Sequence, residues 1–282
     1  MHSLTGRSCR LDLRRPCIMG ILNVTPDSFS DGGRFLAPRA ALEQARLMVA
    51  EGADVLDVGG ESTRPGSQGV SEEEELARVV PVIELLAREL PVPLSIDTTK
   101  SRVARAAMVA GAHFINDISG LRFDPGMARV AAETGAGLFL MHTSHRPERM
   151  QAHVDYQDLI GEILDYLRQG MEDALAAGVE VDKIAVDPGI GFGKTQEGNL
   201  EILRRLPEFL RLGRPVLLGT SRKSFLGAIL DQPDPRQRLY PTLATVALGV
   251  AAGVRIFRVH DVGPAREVAL TAFAVHPYDS SN

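Results

Sequence analysis

A (β/α)8 barrel is the fold this sequence predicts, and three observations predict it. Eight short apolar runs each stop abruptly on a polar residue followed by Gly, Pro or a helix cap. A segment with helical apolar spacing follows nearly every run, and strict β/α alternation implies a parallel sheet with right-handed crossovers. The 282 residues contain no composition break, repeat or low-complexity tract, so one α/β domain of TIM-barrel size spanning 1–282 is expected.

The first strand is expected over 17–22, followed by a long turn-rich loop, 23–33. A helix over 38–51 follows, with Ala41, Ala45 and Met48 spaced for one buried face, and Gly52 ends it. The run 55–58 is the second strand, leading into the Gly- and Pro-containing loop 59–67. Ser71 with Glu74 three positions later forms a capping box for a helix reaching 89. The third strand, 91–96, ends on Asp97; Thr98 and Thr99 offer caps for a helix over 100–110 that Gly111 closes.

A very short fourth strand, 114–118, contains Asn116 and Asp117, and a helix over 125–133 leads to the fifth strand, 137–141. After the irregular stretch 142–153 comes a long amphipathic helix, 156–177. The sixth strand, 183–186, ends on Asp187, above a loop where Pro188, Gly189, Gly191 and Gly193 forbid strand and helix alike. A helix over 199–206, a seventh strand over 214–218, a helix over 241–252, an eighth strand over 254–259 and a last helix over 264–274 complete the order.

Composition narrows the function. Apolar content is 44%, and no run approaches the ~18 residues of a membrane span. No secretory signal core follows the first charges, and two cysteines without a CxxC make no disulfide framework, so a cytoplasmic protein is expected. A net charge of −5 argues against nucleic acid, while a small anionic substrate stays possible because only charges within about 10 Å act on it. Among 31 basic residues only Lys100, Lys183, Lys194 and Lys223 are lysine, and three of them follow strand ends closely. A lysine kept in an arginine-using chain suggests a place for a compact point charge.

In such a barrel the side chains at the carboxyl ends of the strands converge on one face. Read off in order, they are Asn23, Asp57, Asp97, Asn116, Met141, Asp187, Lys223, Arg258 and His260, with Asp31, Thr63, Arg64, Phe192 and Ser221 on loops above. An acid at one strand end ordinarily caps a helix or pairs with a lysine. Four hydrogen-bonding groups from four strand ends, Asp97, Asn116, Asp187 and Lys223, favour a site for a flat amino-heterocycle or a sugar, since carboxylates bind an amino-amidine edge strongly. Arg258, His260 and Asn23 come from neighbouring strands and suit a phosphate or diphosphate; the alternative for Arg258 is an ion pair with Asp261 or Glu267. Loops 23–33 and 59–67 exceed the usual ~2–6 residues and read as lids, with irregular surface loops the alternative reading. His142 and His145 lack a third ligand spacing and read as ordinary loop histidines, while Phe29 and Phe192 suit stacking on a planar ligand or, for Phe192, filling space under its loop. The GFG of this loop has the wrong glycine spacing for a dinucleotide fingerprint or a P-loop.

The strings ILNVTPDSFSDGG, GADVLDVGGESTRPGS, SIDTTK, FINDISG, DPGIGFGKT, GTSRKSFLG and RVHDV resemble, in order, the motifs of the dihydropteroate synthase family from about residue 18 to 275. The resemblance implies a transferase of folate biosynthesis, a sulfonamide target, that condenses a dihydropterin-methyl diphosphate with para-aminobenzoate and releases diphosphate. It implies that Asp97, Asn116, Asp187 and Lys223 hold the pterin, with Met141 and Phe192 against the ring. It implies Asn23 as a ligand of Mg²⁺ on the diphosphate, Arg258 and His260 on diphosphate oxygens, and Asp31, Thr63, Arg64, Pro65 and Ser221 closing the aminobenzoate pocket. Asp31, Lys223, Arg258 and His260 would be the catalytic set, in a cytoplasmic homodimer. One position departs from the family pattern: His145 stands where glycine is usual. A pterin-dependent methyltransferase, a non-catalytic pterin-binding protein and a Lys223 Schiff-base aldolase are the rival readings.

Overall fold

The computed structural model describes residues 2–25, 37–64 and 66–276. The readings placed on Phe29, Asp31 and Pro65 lie outside the described residues.

Eight parallel strands form the barrel: β3 (Cys17–Asn23), β4 (Val55–Gly59), β5 (Leu94–Asp97), β6 (Phe114–Asp117), β7 (Gly137–Met141), β8 (Ile184–Asp187), β9 (Leu217–Leu218) and β10 (Ile256–Val259). They are hydrogen-bonded in the order β8-β7-β6-β5-β4-β3-β10-β9. A parallel bridge between Val186 and Val216, with Val186 N–H donating to Pro215 O at 2.9 Å, joins the two ends of that order. The expected strand over 214–218 thus contracts to two residues, because positions before Leu217 meet β8 through this single bridge.

Side chains alternate across each strand, so every second residue faces the barrel interior. Ile18, Leu56, Ile96, Ile115, Leu138, Val186 and Phe257 point outward into the helix-lined shell. Met19, Val55, Phe114, Phe139, Ala185, Leu217 and Ile256 form a separate interior cluster. Counting two or more positions onward in phase gives Asn23, Asp57, Asp97, Asn116, Asp187 and Arg258. The interior is therefore apolar at its base and polar at its mouth.

A feature absent from the expectation closes the base. β1 (Ser3–Gly6) and β2 (Cys9–Asp12) form an antiparallel hairpin with Leu4 opposite Leu11. Leu4, Leu11 and Leu13 join the interior cluster as a plug. Glycine is required at the contact, since a Cβ on Gly137 would lie 2.3 Å from Phe114 Cδ1 and one on Gly6 2.6 Å from Phe114 Cζ. Cys9 and Cys17 are both free, and burial raises both thiols, Cys9 to about 11, which keeps them unreactive.

The helices are α1 (Ala37–Ala50), α2 (Glu72–Glu89), α3 (Ser101–Ala110), α4 (Met127–Thr134), α5 (Leu159–Ala176), α6 (Gln196–Arg204), α7 (Leu206–Leu210), α8 (Ser224–Leu230), α9 (Leu239–Ala251) and α10 (Val262–Val275). The Ser71 cap forms as expected, its Oγ accepting from Glu74 N–H at 3.1 Å. The Thr98 and Thr99 caps do not. Asp124 Oδ2, from the next strand–helix loop, accepts from Ser101 N–H at 2.7 Å instead, while Thr98 Oγ1 accepts from Lys100 N–H. Asp158 caps α5 by accepting from Gly161 N–H, which starts that helix later than expected. No helix among the described residues is long and apolar enough to cross a membrane.

Candidate active site

The barrel mouth brings most of the expected residues together. Arg258 on β10 reaches across β3 and β4, its Nε donating to Asp57 Oδ2 at 2.6 Å and its terminal nitrogen to Asp97 Oδ2 at 2.7 Å. Asn116 Nδ2 donates to the same Asp57 oxygen at 2.9 Å. Asp57, an interior residue given no role above, is thus the hinge of the polar floor. The alternative pairing of Arg258 with Asp261 is not found: Asp261 takes a two-pronged contact from Arg222.

On this polar floor two carboxylate oxygens are buried without a partner, Asp57 Oδ1 and Asp97 Oδ1. A buried acceptor left unmade costs about 1–3 kcal/mol, so these atoms mark where a ligand with N–H donors would sit. Asp187 lies opposite, with Oδ1 accepting from Gly189 N–H at 2.7 Å. Gly189 has φ 72°, and a Cβ there would fall 1.9 Å from His142 O, so only glycine lets this turn fold over Asp187.

Lys223 and Phe192 form one wall. The Lys223 ammonium lies 3.9 Å from the Phe192 ring centroid, a cation–π contact that fixes both on the same side of the mouth. Phe192 also packs with Met141, Ile118 and Met150 in a small apolar cluster. Stacking surface and apolar wall are thus adjacent. Gly219 leaves Asp187 and Arg258 in proximity, each within 3.9 Å of where its Cβ would stand.

Burial sets the protonation. It raises Asp97 to about 7, opposed by Arg258 and reinforced by Asp57, and raises Asp187 to about 6 against the Gly189 hydrogen bond and Lys223. It lowers Lys223 to about 8, with Arg258 adding and Asp187 opposing. His260 is lowered to about 3 by burial and by Arg222 and Arg258. Its Nδ1 shares a 2.9 Å hydrogen bond with Ser221 Oγ, which also accepts from His260 N–H. His260 is neutral at pH 7, and Arg258, though charged, is engaged by two carboxylates.

Among the lid residues, Thr63 joins Asp97, Thr98 and Thr99 around a small recess, while Arg64 is exposed with its carbonyl accepting from Ser67. Asn23 stands at the rim of β3, its Oδ1 3.4 Å from where a Gly59 Cβ would project and Asp97 3.7 Å from the same point. No group of three or more His, Cys, Asp or Glu side chains suited to a metal occurs among the described residues. A rim amide oxygen beside Asp97 fits a Mg²⁺ that arrives with a diphosphate, because that ion keeps several waters and takes few protein ligands. His142 and His145 are separate: His142 bonds Lys194, and His145 stacks on His153 at 3.8 Å.

Two lysines that composition singled out join separate chain segments. Lys194 is buried and donates to His142 Nδ1 at 2.7 Å, to Phe192 O at 2.9 Å and to His142 O at 3.2 Å. It thereby ties the loop after β8 to the loop after β7. Lys100 binds Glu61 and Glu75. Lys183, by contrast, pairs locally with Glu180.

Residues 19–260 match the family model described as pterin binding enzyme. The dihydropteroate synthase of Synechocystis sp. is 50% identical over 262 residues, 93% of this chain and 91% of the relative. A dihydropteroate synthase crystal structure from Clostridium difficile with pteroic acid superposes with a TM-score of 0.89 at 47% identity, covering 94% of this chain and 98% of that one. One from Xanthomonas albilineans with 4-aminobenzoic acid gives 0.90 at 41% identity, covering 96% and 98%. The chain belongs to the dihydropteroate synthase family of pterin-binding enzymes.

Proposed function

We propose that this chain condenses 6-hydroxymethyl-7,8-dihydropterin diphosphate with para-aminobenzoate, giving 7,8-dihydropteroate and diphosphate in folate biosynthesis. The observation that carries the reading is the orphaned Asp97 Oδ1 beside Asp57, Asn116 and Arg258, facing Asp187 and the Lys223–Phe192 wall. Acceptors on one side and a cation over an aromatic ring on the other suit an amino-heterocycle carrying ring N–H groups better than a sugar.

Asp97 and Asp187, as carboxylates, accept from the pterin amino-amidine edge, and Asn116 and Lys223 complete the ring contacts. Phe192 and Met141 cover the ring face. The methylene carbon then loses its bond to the diphosphate oxygen, whose electron pair leaves with diphosphate, while the electron-rich ring delocalises the positive charge. The aniline nitrogen forms the new C–N bond and loses its proton afterwards, so a strong general base is unnecessary. Arg258 and a hydrogen bond from neutral His260 receive the departing oxygens; an incoming dianion would also draw His260 toward its charged form. When bound, Mg²⁺ with Asn23 among its ligands supplies charge neutralisation on the diphosphate. Thr63, Arg64 and Ser221 serve the aminobenzoate side, where the family resemblance also assigns roles to Pro65 and Asp31, and excluding water there protects the developing cation.

The reading also includes a homodimer, supported by exposed apolar side chains on neighbouring α8 and α9, namely Ile229, Leu230, Tyr240 and Leu248. Sedimentation equilibrium of the whole chain measures it, and a monomer at micromolar concentration would remove that part. For the reaction, purified protein with both substrates and Mg²⁺ should form dihydropteroate and diphosphate one for one. Dihydropterin binding without product would instead make it a binding protein.

A further inference from the structure

We propose that Lys100 is a positioning residue that holds the loop after β4, carrying Thr63 and Arg64, in register with the strand end that carries Asp97. The inference rests on the reading of the site given above and adds to it a residue that touches no substrate.

The geometry begins with a buried acid. Glu75 lies in the first turn of α2 beside Glu72, Glu73 and Glu74, yet its side chain is only 1% exposed. Its Oε2 accepts from the Lys100 ammonium at 2.5 Å, while its Oε1 is buried without a partner. Lys100 also donates to Glu61, at the root of the loop. One ammonium thus joins three chain segments: α2, the β4 loop, and the connection Asp97–Thr98–Thr99–Lys100 that descends from the site. Lys100 N–H donates to Thr98 Oγ1 at 3.2 Å, which fixes that connection further.

The loop lies directly on this cluster. A Cβ at Gly60 would meet Val79 Cγ1 at 2.6 Å and Glu75 Cγ at 3.1 Å, so the loop root is pressed on α2. At the far end, a Gly69 Cβ would stand 3.3 Å from Glu61 Oε1. Glu61 therefore touches both ends of the loop, and among the described residues its cationic partner is Lys100. Glu61, Thr63, Glu75, Asp97 and Thr98 share one recess, which places the tether beside the site. Arginine's planar fork cannot substitute freely: two carboxylates converging on a single nitrogen want a compact charge, consistent with lysine here in an arginine-using chain.

Three variants of the full chain test this by steady-state kinetics, equilibrium binding of a dihydropterin and thermal melting. Glu61→Gln leaves Glu75 paired; it should raise KM for para-aminobenzoate roughly tenfold or more, with dihydropterin affinity and Tm little changed. Lys100→Met should raise that KM similarly and also lower Tm, because Glu75 is left unpaired. Lys100→Met with Glu75→Gln should regain Tm but keep the raised KM. Recovery of KM together with Tm in the double variant would make Lys100 merely structural and overturn the proposal. Equal losses in dihydropterin affinity and KM would overturn it too. Wild-type protein that turns over nothing overturns the underlying reading as well, whereas normal wild-type turnover with unsplit constants overturns this proposal alone.

Discussion

Arg258 and Asp97 meet across the barrel mouth at 2.7 Å, although they stand on β10 and β5 with β3 and β4 between them. The same guanidinium holds Asp57, so one cation keeps two buried carboxylates apart. Arg258→Met should therefore destabilise the fold by about 3 kcal/mol, the usual cost of unpairing buried charge. Urea melts check this, and an unchanged midpoint would mean that the pair is incidental. Arg258→Lys keeps the charge without the two-pronged reach, and it should lower kcat/KM by about a hundredfold while losing less stability.

The pH profile follows from burial. With Asp187 raised to about 6 and Asp97 to about 7, kcat/KM for the pterin diphosphate should climb as pH rises through that range. Above about 8 it should fall as Lys223 loses its proton. The two acid-side values will be read as apparent constants of a pair. His260, lowered to about 3, adds nothing to the acid limb of the free enzyme. A profile flat from pH 5 to 9 would contradict these assignments.

Stability should run against activity at Asp187. Its folded-state value of about 6 stands above the ordinary 3.8, so the folded chain holds this proton more tightly. That contribution to stability is fully present below pH 3.8 and is lost as pH rises through about 6. Asp187→Asn keeps an oxygen for Gly189 N–H and carries no buried charge. At pH 8 it should melt higher than the parent, by on the order of 1 kcal/mol after the lost attraction to Lys223 and Lys194 is offset. Near pH 4 the gap should close, and activity should be largely lost throughout.

Asn23 gives the metal prediction. Asn23→Ala should raise the Mg²⁺ concentration needed for half-maximal rate by about 10-fold or more, with dihydropterin binding in the absence of diphosphate unchanged. Equal Mg²⁺ dependence in both proteins would remove Asn23 from the ion.

Much of the site was legible because a strand's period of two puts Asp57, Asp97, Asn116, Asp187 and Arg258 in phase, and each follows an apolar run that a sequence displays. What escaped depends on distance in space. Glu75 reads as one of four solvent-facing acids at a helix start, and only the approach of Lys100 from the next unit shows it buried. Asp124 caps α3 from 23 residues away. The neutrality of His260 arises from its burial, with Arg222 and Arg258 nearby adding to it, which no local pattern records. The β1–β2 plug consists of two four-residue strands whose few apolar side chains make sense only against Phe114 and Phe139.

A crystal structure of the chain with a dihydropterin bound tests the central claim most directly. The account predicts a ring N–H or amino group at about 3 Å from Asp97 Oδ1, Asp187 on the same heterocycle, and the ring face against Phe192. A pterin seated elsewhere, with Asp97 Oδ1 still unpartnered, would contradict it.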